Sequence, residues 1–462
     1  MPVRVLWPLL VLVVLGLGWF FWPPPAPPTN LVLIGIDTLR PDHASVYGYD
    51  KPTTPRLEAL AARGVLFEEA TSHAPWTLPS VSTVLTSLYP SQHGARVPGD
   101  LKDLTDDVPV RLGDVETLAQ ILRRSGKVTQ AFVANAFTGY GIDDHFEGFS
   151  YAHASADRIS RDGVDFLRAN REHPFFLYLH YTDPHEHHRL LPKEHRARFT
   201  DASVLEAMGD RDKAGYRYIY DNFGPALYDA QTSFADEQVG VVFDALQQLD
   251  LTGRTLVVVF SDHGEEFWEH ADAHRRYGED PRGIYGLGHG QSLYQELLSV
   301  VFLMAGGDLP AGQVVKGAVG LRDLAPTVLD VMGLPPGTTM EGTSLVPAIT
   351  SGQAPEREVF SESIAYGYEK KAIRVGDWKY ILSLPDSLDE LYDLRADPGE
   401  TTNLAASDPE RTAAMRRRVE EIVAGFAPEE PTEPTGISEE TRRNLQALGY
   451  LTDDRAVPRD QP

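Results

Sequence analysis

The sequence predicts an α/β fold: a central, mostly parallel sheet flanked by helices, with a smaller α+β subdomain at its C-terminal end. Three observations carry this. Short, wholly apolar runs alternate with helix-length segments, as in strands buried on both faces. Several of those runs end in Asp or His, and α/β sheets gather their ligands at the carboxyl ends of strands. A turn-rich break, Gly333-Leu334-Pro335-Pro336-Gly337, then opens a region with shorter strands.

In chain order, residues 1–29 read as a membrane anchor and a proline-rich linker. Val5 to Trp22 is almost wholly apolar, Trp19, Phe20, Phe21 and Trp22 mark its outer end, and Pro23 to Pro28 form a stiff spacer. With Arg4 as the early positive charge, an N-in orientation and an exported (periplasmic or extracellular) catalytic domain follow; secretion after signal cleavage is the alternative. Residues 30–335 form the expected catalytic domain. Leu31 to Ile36 reads as a buried strand delivering Asp37, Arg56 to Gly64 as a helix closed by glycine, and Pro79 to Ser87 as a helix with Thr77 and Leu78 at its entry. Further strands are expected at Thr129 to Ala134, Phe175 to His180, Thr255 to Phe260 and Leu298 to Met304. The second of these leads into Asp183 and His185, and the third into Asp262 and His263. Glu194 to Asn222 reads as an insertion over the site. Residues 336–426 make the subdomain, with strands around Trp378 and a helix from Ser407 to Phe426. Residues 427–462 form an acidic, polar tail that opens with a linker, Pro428 to Pro434.

Composition narrows the partners. A net charge of −25 argues against a nucleic-acid-binding surface and points to small molecules. An acidic chain still binds anionic esters where metal ions and helix N-termini supply local positive potential. With no cysteine, disulfides, thiolate metal sites and cysteine nucleophiles are excluded together.

Cleaving a sulfate or phosphate ester requires a nucleophile, a Lewis acid and donors for the non-bridging oxygens. Asp37, Asp262 and His263 make a mixed carboxylate and imidazole set that suits Mn, Zn or Mg better than Ca, and Thr77 could complete the shell. A metal would lower the Thr77 hydroxyl pKa, and the helix N-terminus would bind the transferred anion. Taken singly, Thr77 could be a helix cap, Asp37 a turn residue and Asp262-His263-Gly264 a surface loop.

Ordered segments add a resemblance. Ile36-Asp37-Thr38-Leu39-Arg40-Pro41-Asp42, Pro75-Trp76-Thr77-Leu78-Pro79-Ser80, Tyr89-Pro90-Ser91-Gln92-His93-Gly94, Phe260-Ser261-Asp262-His263-Gly264-Glu265-Glu266 and Gly288-His289-Gly290-Gln291-Ser292 all match in order. Asp323-Leu324-Ala325-Pro326-Thr327, Gly376-Asp377-Trp378-Lys379-Tyr380 and Glu390-Leu391-Tyr392-Asp393-Leu394 follow. The chain resembles a sulfatase-type member of the alkaline phosphatase superfamily from Asn30 to about Leu404, with Thr77 where such enzymes carry the Cys or Ser converted to formylglycine. The resemblance implies metal ligation by Asp37, Asp262 and His263, a Thr77 nucleophile, and His185 and His289 as groups that contact the ester oxygens or protonate the leaving group. Three departures stand out: Thr38 replaces a second Asp, Val81 replaces the Arg that supports formylglycine, and Gly126-Lys127-Val128 lacks the usual Trp-His. Asn135 is a candidate for the space those missing groups leave, as a substrate-binding residue. Relatives that use threonine directly include lipoteichoic acid synthases, phosphoethanolamine transferases and two-zinc nucleotide phosphodiesterases. The last kind implies a second metal set from Asp183, His187 and His289, against the alternative that His185, His187 and His188 lie on a rim loop.

The expectation is an exported hydrolase of sulfate or phosphate esters, using a divalent metal (Mn, Zn, Mg or Ca; one ion or two) and cleaving a phosphoester or phosphodiester through Thr77. A small-molecule, glycan or lipid ester would be the substrate, and the N-terminal helix would hold the enzyme to a membrane. A formylglycine-free sulfuric ester hydrolase, a phosphoryl transferase and a catalytically silent binding protein are the alternatives.

Overall fold

The computed structural model describes residues 26–99, 101–104, 109–185, 195, 198–199, 216–277, 280–283, 285–384 and 388–426. The expected anchor at Val5 to Trp22, most of the 194–222 insertion and the 427–462 tail lie outside the described residues. Among the described residues, no helix is long and apolar enough to cross a membrane.

A nine-stranded sheet organises the larger part of the chain. Its strands are β1 (Asn30–Ile36), β2 (Gly64–Thr71), β3 (Val128–Val133), β4 (Gly148–Tyr151), β5 (Phe175–Tyr181), β6 (Thr255–Phe260), β7 (Ser299–Val300), β8 (Phe302–Ala305) and β9 (Gln313–Gly320). They run in the order β7-β2-β8-β6-β1-β5-β3-β4, with β9 paired on β2. Pairing is parallel except where β7 and β8 meet their neighbours. The run expected at Leu298 to Met304 is thus split in two and antiparallel.

β1 is buried along its whole length. Its side chains divide between two apolar layers: Leu31 and Leu33 pack on one side, Val32, Ile34 and Ile36 on the other. Period-two alternation with both faces apolar is what a central strand between helix layers requires. Each such buried side chain contributes about 1.5–3 kcal/mol. β1 is flanked by β5 and β6 in parallel register, Gly35 lying opposite both His180 and Phe260. The three strands therefore end at one edge, where polar residues follow apolar ones.

The second unit is a four-stranded antiparallel sheet of β10 (Glu358–Glu362), β11 (Lys370–Val375), β12 (Trp378–Ser383) and β13 (Leu388–Asp393). A helix, Pro409–Ala424, packs on it through Met415 and Val419. Its start is capped by the Asp408 carboxylate, which accepts from the Arg411 amide.

Candidate active site

The helix carrying Thr77 spans Thr77–Thr86 and is wholly buried. It starts two residues before the sequence suggests, because Pro79 is tolerated in the first turn, where its missing N–H is not needed. Trp76 precedes it in an extended conformation and supplies no side-chain cap, leaving the first turn's amides to other partners. The Trp76 indole fixes the entry by donating to the Ser363 carbonyl at 2.8 Å and standing edge-on to Phe137. Ser80 donates to the Asp262 carbonyl at 2.6 Å, which ties this helix to the loop after β6.

Around Thr77 the expected residues converge. Asn135, just beyond β3, donates through Nδ2 to Asp37 Oδ2 at 2.8 Å and to Thr77 Oγ1 at 3.1 Å. His263 Nε2 lies 3.3 Å from Thr77 Oγ1, 3.4 Å from Asp37 Oδ1 and 3.6 Å from Asp262 Oδ2. His263 Nδ1 is 2.9 Å from the Gly264 carbonyl, so Nδ1 carries the hydrogen and Nε2 presents a lone pair. Thr77 Oγ1 therefore accepts from Asn135 and turns its own hydrogen toward Nε2.

Strand β5 adds His180, which sequence reasoning placed at a strand end without giving it a role. It is fully buried, its Nε2 lies 3.7 Å from Asp262 Oδ2, and neither ring nitrogen has a hydrogen-bond partner among the described residues. A buried imidazole with both nitrogens open is costly unless something binds it. Gly35 makes the space, since a Cβ there would sit 2.7 Å from the His180 ring. The readable signal was a histidine inside the otherwise apolar run Phe175 to Tyr181, paired with a strand that carries glycine at the facing position. Asp37, His180 and Asp262 bring ligand atoms within 4.8 Å of one another, and His263 joins them. Two carboxylates, two imidazoles and open buried lone pairs fit a divalent ion of the Zn or Mn kind.

The backbone supporting this set is strained. Thr38 lies in the left-handed region at φ 60°. Tyr228 holds the turn: its hydroxyl donates to the Thr38 carbonyl at 2.6 Å and accepts from the Arg40 amide at 2.8 Å, while the Thr38 amide reaches Asp262 Oδ1 at 3.3 Å.

His289 lies between His263 and His185. A two-residue ladder between Glu266–Phe267 and Leu287–Gly288 sets its position. Its Nδ1 donates to the Glu265 carboxylate at 2.7 Å, and its ring centre lies 4.5 Å from that of His263 and 4.9 Å from that of His185. Burial and then the nearby His263 keep it well below its ordinary pKa, so it is neutral at rest. Asp183 is buried, and its Oδ2 accepts the Ala156 amide at the first turn of helix Ala156–Ala169. His187 lies outside the described residues.

A second cluster sits directly behind this loop. Glu266, His270 and Glu296 also bring ligand atoms together. Here, however, His270 Nδ1 donates to Glu296 at 2.6 Å and Nε2 to the Glu400 carbonyl at 3.2 Å, so both nitrogens carry hydrogen. This histidine is an imidazolium in a buried ion pair and has no lone pair for a metal.

Similarity to known proteins agrees with the geometry. The Sulfatase family matches residues 29–334, and the family described as N-sulphoglucosamine sulphohydrolase, C-terminal, matches residues 283–424. Arylsulfatase K of Homo sapiens is 32% identical over 210 residues, which cover 43% of this chain and 36% of that protein. Arylsulfatase K of Xenopus laevis is 25% identical over 473 residues, covering 87% and 83%. Among solved structures, one in complex with its substrate D-glucosamine-2-N,6-O-disulfate superposes with a TM-score of 0.68 at 18% identity, covering 88% of this chain and all (100%) of that one. The phosphonate monoester hydrolase of Agrobacterium radiobacter superposes with a TM-score of 0.64 at 20% identity, covering 87% and 96%. The chain belongs to the sulfatase family, a family of metal-dependent ester hydrolases.

Proposed function

We propose that this enzyme cleaves a phosphoester or phosphodiester by direct attack of Thr77. The observation that carries the reading is the placement of Thr77 Oγ1 between the Asn135 amide at 3.1 Å and His263 Nε2 at 3.3 Å, beside the carboxylate and imidazole set. Asp37, His180, Asp262 and His263 would hold the metal, with Thr77 as the fifth donor. When bound, the ion supplies positive charge that acidifies the hydroxyl and neutralises the ester oxygens. Asn135 fixes the Thr77 lone pairs so that the attacking one faces the ester. The Oγ1–P bond forms as the bond from phosphorus to the leaving oxygen breaks, and the first-turn amides of helix Thr77–Thr86 receive the charge on the non-bridging oxygens. The Thr77 hydroxyl proton passes to solvent as Oγ1 attacks, and the leaving oxygen takes a proton from water on the side of His289 and His185, since neutral His289 keeps its hydrogen on Nδ1 toward Glu265. Water then hydrolyses the phosphothreonine and returns the proton to Oγ1.

One metal site is enough for this chemistry, and Asp37, His180 and Asp262 with His263 supply it. The same reading takes residues 30–335 as the catalytic domain, 336–426 as its subdomain, and the apolar run before residue 30 as the device that exports or anchors it. The arylsulfatase relatives favour a second reading, sulfate-ester hydrolysis without formylglycine. A screen of the chain lacking residues 1–29, with Mn, Zn, Mg or Ca and aryl sulfate, phosphate monoester and phosphodiester substrates, separates them. Phosphoester turnover lost in Thr77→Ala supports the threonine mechanism; sulfate turnover that survives Thr77→Ala overturns it. Intact mass on the same sample reports whether Thr77 is modified.

A further inference from the structure

A cavity of about 350 Å³ opens at the seam between β9, β10 and the helix Pro409–Ala424, and shares no residue with the cluster around Thr77. The volume lies in the range of small-molecule sites, about 300–1,000 Å³. Its walls include Arg322, Arg357 and Arg418 against Asp323 and Glu358, a cationic excess in a chain of net charge −25. Two of these guanidinium groups are spent: Arg357 on Asp323, and Arg418 on Glu358 at 2.8 Å. Arg322 is different. It lies 4.0 Å over the Tyr89 ring, its carboxylate neighbour Glu341 is 3.8 Å away, and its side chain makes no hydrogen bond among the described residues.

His73 forms the inner wall. It is 2% exposed, and its Nδ1 donates to the Phe360 carbonyl at 2.6 Å. Nε2 is therefore a lone pair, buried and without a partner among the described residues. Gly320 leaves room for it, because a Cβ there would lie 2.5 Å from Nε2. Burial, then the charges of Arg322 and Arg357, push the imidazole down to about 3, so the acceptor persists at neutral pH. A buried acceptor on the same cavity wall as a guanidinium held, among the described residues, only by the Tyr89 ring and a 3.8 Å ion pair fits a ligand that brings a negative charge and a hydroxyl donor together.

We infer that this cavity is a second ligand site, separate from the Thr77 centre, which takes a hydroxylated organic anion of the acidic-monosaccharide class. Isothermal titration of the full chain with D-glucuronate tests it, with D-glucose, cyclohexanecarboxylate and inorganic sulfate as probes lacking the charge, the hydroxyls or the carbon frame. One-site glucuronate binding is expected, retained in Thr77→Ala and weakened about tenfold or more in Arg322→Gln, with Arg322→Lys in between because a point charge replaces the planar fork. Melting temperatures verify that each variant is folded, and Arg322→Lys decides the matter if Arg322→Gln is not. The inference is overturned by no glucuronate binding at about 10 mM, a millimolar-scale limit, by binding unchanged in a folded Arg322 variant, or by binding lost in Thr77→Ala. It is equally overturned if any of the three control probes binds as tightly as glucuronate.

Discussion

Two clusters of Glu, Asp and His lie back to back around residues 262–296, and their difference lies in hydrogen bonding rather than composition. At the sheet edge, His180 keeps both nitrogens open and His263 is oriented by the Gly264 carbonyl so that Nε2 faces Thr77, Asp37 and Asp262. Behind it, His270 is saturated by Glu296 and the Glu400 carbonyl, and Glu266 accepts from the His270 amide and Gln291. Open, convergent lone pairs make a metal site; the same groups paired with one another make a buried ionic joint. The joint links the loop after β6 to the C-terminal sheet, where Lys379 on β12 binds Glu400 at 2.7 Å.

The sharpest way to break this contrast is at the proposed nucleophile. Thr77→Ala is expected to lower kcat by about 10⁴-fold or more while the metal is still bound by the four remaining donors, as measured by steady-state kinetics at saturating metal beside elemental analysis. His180→Ala should lower metal affinity by about 100-fold or more, and Gly35→Ala should do likewise by driving a Cβ to within 2.7 Å of the His180 ring. Titration with a chromophoric chelator reads both, and wild-type affinity in His180→Ala would remove it from the site. Asn135→Ala is expected to cost about 100-fold in kcat, with little change in metal affinity, because it removes a donor to Thr77 rather than a ligand.

The joint behind should respond to pH and not to chelators. Burial lowers the His270 pKa, but the Glu296 hydrogen bond and charge outweigh it and hold it up at about 9, against 6.5. Its stabilisation is complete below 6.5 and lost as pH rises through 9. Glu266, pushed up to about 8 by burial and then by Glu296, costs stability progressively as pH rises from 4.5 to 8. Thermal stability should therefore fall on the alkaline side of neutrality. Glu296→Gln should destabilise the chain by about 3 kcal/mol at pH 6 and flatten that decline, while the metal stoichiometry of the purified protein stays the same. A drop in metal content in this variant would mean that the joint is a second metal site.

The strands of the central sheet were legible because burial on both faces leaves an uninterrupted apolar run, as in Thr255–Phe260, whose limits the sequence reading matches. Asp37, Asp262 and His263 could be read because they follow such runs directly. Asn135 could be named but not placed, since its two bonds reach Asp37 and Thr77, 98 and 58 residues away in the chain. The split of β7 from β8 and their antiparallel pairing were hidden, because an apolar run carries no direction.

From sequence alone come the alternation of buried strands and helices, the polar residues at strand ends and the threonine at the head of a buried helix, all set by local periodicity. Only the tertiary structure decides that His180 points into the site across Gly35, that His270 is spent on Glu296 and Glu400, and that His73 faces a cationic cavity. In each case the sequence supplies an imidazole, and the partners that fix its hydrogens come from strands and loops distant in the chain. A histidine's function is set by which of its nitrogens is left open, and that is a property of the packing around it.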